Sequence, residues 1–311
     1  MVQQTLAVGA ASIKPYKIAK LQTISAPSSL TTSMVAAITT APDVDDPSGS
    51  PILASTAYNV QIAFLGLSDL GGMAITTLSN VHSINTGVGA TGIKVTVTIP
   101  AYALGVAVFI NGALAHIMPQ KPQNRMNATS ASREICIYYK ATGNAMTAAA
   151  AGVYAAAHTC YGMTRSDYPD TTGDTTITFE TNKITIAPGH SGDFDVVTGK
   201  RPTAKGSFFK YDKDVRAGAS GSLRTTEGSE DITIYGYRGS SVPKGSPFEL
   251  ITPSDTAGQQ ESYFFMSAEM STEPLSLAYS KAGNPNMSIT IKELPDEINV
   301  EVPTFFMEPW L

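Results

Sequence analysis

The chain has 311 residues, 42% of them hydrophobic and only 15% charged, with a formal net charge of -5. That apolar share is enough for a real core, while the charge lies well below the usual level of about 25%. The acidic balance excludes a protein that wraps nucleic acid with clustered bases, and the lack of any run of 18 apolar residues excludes a transmembrane helix.

Met1 to Ala10 has no basic segment followed by an apolar core, so no signal peptide is expected and synthesis in a cytoplasm is. The first 26 residues read as an N-terminal strand or arm. Pro42 to Pro51 is a polar, turn-rich loop. Period-2 alternation then predicts strands in which Tyr58, Val60, Ile62 and Phe64 share one face, followed by Ile93, Val95, Val97 and Ile99. Val106, Val108 and Ile110 form the next, closed by Asn111-Gly112, and Ile135, Ile137 and Tyr139 another. In each, one face meets the core and the other solvent or a neighbour.

Asn144 to His158 is Ala-rich and free of proline, and reads as one short buried helix. Thr164 to Asp174 separates this region from a more charged C-terminal part. Later strands are expected at Thr176 to Glu180, Lys183 to Ala187, Asp231 to Tyr237, Tyr263 to Ala268 and Met287 to Lys292. From Glu293 to Leu311 the chain carries five acids (Glu293, Asp296, Glu297, Glu301, Glu308) and no base, with Phe305, Phe306, Met307 and Trp310 near its end. That segment reads as an acidic extended arm whose apolar tip docks on a neighbour or on its own body. As a contact arm, residues 303–311 are expected to be needed for assembly and dispensable for folding. The fold class is therefore mainly β: two β-sandwich-like units, 27–162 and 163–311, with one short helix.

Residues with chemical potential are few. Of the four histidines, His82, His116, His158 and His190, none pairs with another at metal-ligand spacing. Gly189 to Asp195 brings His190 near Asp193 and Asp195, which reads as a polar turn. Gly218-Ala219-Ser220-Gly221 lacks the spacing of a nucleophile elbow, and no phosphate-binding glycine loop is present. Neither catalytic, cofactor nor metal residues are assigned, and no enzyme activity is expected. Lys200, Arg201, Lys205, Lys210, Lys213 and Arg216 form the densest basic stretch, interleaved with Phe208, Phe209 and Tyr211 and diluted by Asp212 and Asp214. It reads as a solvated loop or subunit contact. Cys136 and Cys160 are too few for a disulfide framework and are expected as buried free thiols.

Two resemblances attach to these residues. Ala26-Pro27-Ser28, Tyr58 to Ala63 with Gly66 and Ser68, Gly92 to Val97, and Gly105 to Gly112 together resemble a fibronectin type III or Ig-like sandwich, departing from it in having no core tryptophan in this region. Val8 to Pro15 as a first strand, and Ile184 to Ile291 as strands with polar loops, resemble the tail tube (major tail) proteins of long-tailed bacteriophages. The second resemblance implies a virion protein forming hexameric rings stacked into a tube, in contact with other tail proteins. Genome DNA would pass along the channel without specific binding, and no membrane partner is implied. The Ig-like unit would then be an added domain on the tube exterior. No family residue transfers by motif. A capsid decoration, connector or fibre protein shares the same low charge and strand content. A carbohydrate-binding sandwich would need exposed aromatics, and Tyr138-Tyr139 and Phe264-Phe265 read instead as strand faces or core.

Overall fold

The computed structural model describes residues 4–9, 11–39, 50–67, 73–127, 129–137, 139–140, 160–165, 171, 175–186, 194–208, 223–227, 230–234, 246–253, 259–272, 287–293 and 305–310. In chain order its elements are β1 (Gln4–Gly9), β2 (Ser12–Thr23), β3 (Val35–Ile38), β4 (Ser50–Pro51), β5 (Ala57–Leu67), β6 (Met73–Ile75), β7 (His82–Asn85), β8 (Gly92–Ile99), β9 (Gly105–Ile110), β10 (Ala113–Pro119), the helix α1 (Pro122–Asn127), β11 (Ala131–Ile137), β12 (Tyr139–Lys140) and β13 (Tyr161–Arg165). There follow β14 (Thr175–Ile186), β15 (Phe194–Phe208), β16 (Leu223–Glu227), β17 (Glu230–Ile234), β18 (Ser246–Ile251), β19 (Gln260–Thr272), β20 (Met287–Glu293) and β21 (Phe305–Trp310). The protein is mainly β, as its alternating pattern predicts, and the described ladders are antiparallel. No described helix is long and apolar enough to cross a membrane.

The chain forms two compact units. An inserted unit comprises Tyr16–Arg165 with Asp296–Pro303, and a flanking unit comprises Met1–Pro15, Ser166–Pro295 and Thr304–Leu311. The chain passes between them inside β2, whose Ser12–Pro15 pair with β18 and whose later residues pair with β13.

In the inserted unit, β11-β8-β3 form one sheet, while β5, β9 and β10 belong to another, with β6 and β7 also paired to β5. Val60, Ile62 and Phe64 of β5 and Val106, Val108 and Ile110 of β9 share one core with Ile93, Val95, Val97 and Ile99 of β8 and Ile135 and Ile137 of β11. This is the interdigitation of two inner sheet faces that makes a sandwich. The β9–β10 hairpin turns at Asn111 (φ 46°) and Gly112 (φ 82°), the two left-handed residues that a tight primed turn demands. Asn111 also clamps β5: its N–H donates to the Asn59 carbonyl at 2.8 Å, and its Oδ1 accepts from the Asn59 N–H at 2.9 Å. Across the two sheets, Arg133 Nε of β11 donates to the Pro119 carbonyl of β10 at 3.0 Å.

In the flanking unit the strand order is β1-β14-β15-β20-β19-β18, followed by the first residues of β2, with β21 also on β19. Its core gathers Ile13, Ile177, Phe248, Leu250, Tyr263, Phe265 and Ile291. Thr171 fastens this unit's first segment: its Oγ1 accepts from the Ala11 N–H at 2.8 Å and its N–H donates to the Ala11 carbonyl at 3.1 Å.

Several expectations need correcting. The helix expected over Asn144 to His158 lies outside the described residues, and the one described helix is α1, where Pro122 stands in the first turn and Arg125 N–H donates to the Lys121 carbonyl at 2.9 Å. The strands expected at Thr176 to Glu180 and Lys183 to Ala187 are a single strand, β14, because Thr181 and Asn182 stay in the ladder opposite Lys200 and Gly199 instead of turning. Cys136 is exposed, because its neighbours Ile135 and Ile137 take the core face of β11; Cys160 is buried, and both thiols are free.

Candidate functional site

The residues singled out from the sequence do not converge. His82 lies on β7 and His116 on β10, whereas His158, His190 and the Gly218 to Gly221 stretch fall outside the described residues. Of the Gly189 to Asp195 turn, Phe194 and Asp195 alone are described, at the start of β15. Burial lowers the pKa of His116 below its ordinary value, which keeps the imidazole neutral. Among the described residues, no three His, Cys, Asp or Glu side chains gather as a metal site would require. Burial pushes the Cys160 thiol up to about 12, the opposite of a reactive cysteine, with a backbone hydrogen bond from Gly66 offsetting a little. Phe264 and Phe265 are both fully buried, on opposite faces of β19, so neither offers a platform to a sugar.

The basic stretch is not one loop. Lys200, Arg201 and Lys205 are ladder residues of β15, and Phe209 to Arg216 lie outside the described residues. What the ladder around them does present is a long ribbon. β14 and β15 pair from Thr176↔Lys205 to Ile186↔Phe194. Among the described residues, β1 covers the outer edge of β14 from Thr175, opposite Gly9, to Phe179, opposite Gln4. Among the described residues, β20 covers the outer edge of β15 from Thr203 to Phe208. Glu180–Ile186 and Phe194–Arg201 pair with each other and with no other described strand. At the usual rise per residue, the seven residues Glu180–Ile186 extend this ladder by roughly 23 Å beyond the described pairs with β1. A ladder shift falls inside it: Asn182 faces Gly199 and Lys183 faces Val197, leaving Thr198 as an extra residue on β15.

The C-terminal segment behaves differently from a free arm. β21 pairs along β19 in unbroken register, from Phe265↔Phe305 to Gln260↔Trp310. The Phe305 ring packs edge-on against Phe265 at 4.8 Å and Phe179 at 5.7 Å, and lies over Tyr263. Of the two docking modes the sequence allows, the arm takes its own body. Beside it, Glu261 accepts a hydrogen bond from the Tyr263 hydroxyl, and burial, that bond and the carboxylate's charge all raise the phenol's pKa. Further along the same sheet the fully buried Glu249 accepts from Ser262 Oγ.

No family model, curated protein or solved structure matches this chain.

Proposed function

We propose that this chain is a structural subunit that assembles with copies of itself. On this reading the assembly is the tail tube of a long-tailed bacteriophage, with hexameric rings stacked around a channel for DNA, and the protein is a building block with no catalytic role. The observation that supports self-assembly best is the distal β14–β15 ribbon. Over that distal stretch its strands have no further partner among the described ones, a two-stranded ribbon is marginal in water by itself, and free strand edges are templates for further strands. A chain with 15% charged residues also puts little electrostatic repulsion between copies. The net charge of -5 suits a channel in which phosphates slide and are not held.

Size-exclusion chromatography with light scattering tests the reading. The expected mass is a fixed multiple of the 32.7 kDa subunit, six copies for a ring. A monomer's mass at every concentration and salt would contradict it. Trimers, or monomers that seat on capsids, would point instead to a fibre or decoration protein. On the same reading, double-stranded DNA is not retained by the protein at physiological salt; retention that weakens steeply with added salt would mean counterion release by a basic surface and would contradict the sliding channel.

A further inference from the structure

In the flanking unit, Ile177 of β14, Ala204 of β15 and Ile291 of β20 stand in line across the ladder and enter the core. Residues next to them in each strand belong to the opposite face of the sheet. On β15 these are Thr203 and Lys205, with Arg201 two residues before Thr203 and no ladder shift between them. Lys292 of β20 stands in register opposite Thr203, a third base at the same place. Lys205 is exposed, yet Thr203 beside it is only 5% exposed, and its Oγ1 is buried with no hydrogen-bond partner among the described residues. A buried hydroxyl without a partner costs free energy, and a ligand oxygen would relieve that cost.

We propose that Arg201, Thr203 and Lys205 bind a single phosphate group on this face. Residues two apart along a strand stand about 6.8 Å apart, so both cationic side chains start about that distance from the hydroxyl. The hydroxyl donates to one phosphate oxygen, the guanidinium offers its fork of N–H donors to others, and the ammonium group supplies charge. Three donors converging from different directions suit a tetrahedral anion better than a planar carboxylate. Lys205 stands between Thr176 and Thr290, with no acid in register. Acids bound the cluster on both sides, Glu180 opposite Arg201 and Glu269 opposite Lys292. The further phosphates of a nucleic acid would meet those carboxylates, whereas one phosphate group does not. The site needs neither assembly nor a second copy, so its test is separate from that of self-assembly.

Isothermal titration calorimetry of the full chain at constant ionic strength, with inorganic phosphate and with glycerol phosphate, tests the site. Saturable binding of one phosphate per chain is expected, with equal affinities if the ion itself is the ligand and a tighter ester if a small phosphorylated molecule is. Lys205→Gln, at an exposed position, weakens binding by about tenfold. Thr203→Val keeps a β-branched residue in the strand, weakens binding by about fivefold, and leaves the phosphate-free protein as stable as before or more so. Lys94→Gln, on the inserted unit, changes nothing. No saturable binding by the wild type, or binding that Lys205→Gln leaves unchanged, overturns the inference. Tighter binding of a DNA duplex, lost in the same variants, overturns its restriction to a single phosphate group.

Discussion

At Gly105 the backbone of β10 leaves no room for a side chain. An added Cβ would overlap the Met118 carbonyl oxygen and sit 2.8 Å from Pro119 Cα, and both are backbone atoms of a paired strand. Gly105→Ala is therefore expected to cost about 2 kcal/mol in urea unfolding, as overpacking does; a loss under about 0.5 kcal/mol would mean that β10 moves freely. The two cysteines give a second test. Cys136 faces solvent while Cys160 is buried with its thiol pushed up to about 12, so a thiol reagent should label one cysteine in the native protein and the second only after unfolding. The same shift has a sign. The unfolded thiol ionises near 9.0 and the folded one only at about 12, so the unfolded state sheds its proton first and Cys160 contributes stability below that window that is lost as pH rises through it. His116 acts at the other end of the scale. Its folded pKa lies below 6.5, the unfolded state takes the proton first, and stability falls as pH drops below that value. His116→Gln should flatten the acid side of the stability profile, and an unchanged profile would show that His116 is not its source.

At the scale of the element, β21 decides between an arm and a core strand. Phe305 packs with Phe179, Tyr263 and Phe265, and the six-residue ladder closes against β19. Phe305→Ala is expected to cost about 3 kcal/mol through lost burial and a cavity. Removal of 303–311 should lower the unfolding midpoint of the isolated subunit, where a dispensable arm would leave it unchanged. The sequence could announce the apolar residues of this segment but not their destination, because a proline-bearing acidic stretch is compatible with either partner. β8 was legible for a physical reason: Lys94, Thr96 and Thr98 alternate with buried Ile93, Val95, Val97 and Ile99. The same holds for the β9–β10 turn, since Asn-Gly tolerates two left-handed residues in succession. β9 itself is covered on both faces, and the signal was present in Ala107 and Phe109, apolar residues at positions where a solvent face would carry polar ones. The ribbon was not legible, because Thr181-Asn182 resembles a turn and the compensating extra residue lies on the opposite strand, at Thr198.

At the scale of the whole molecule, a mainly β chain of two units with only 15% charged residues suits the proposed self-assembling subunit. Charge contributes little to such an assembly, so its mass should change little between low and physiological salt, unlike one held by surface ion pairs. The most direct test of self-assembly is negative-stain electron microscopy of the purified full chain at high concentration. The account predicts hollow rings or tubes of uniform diameter, with the subunit as the repeating mass. A field of small, monodisperse particles at every concentration and salt would contradict it.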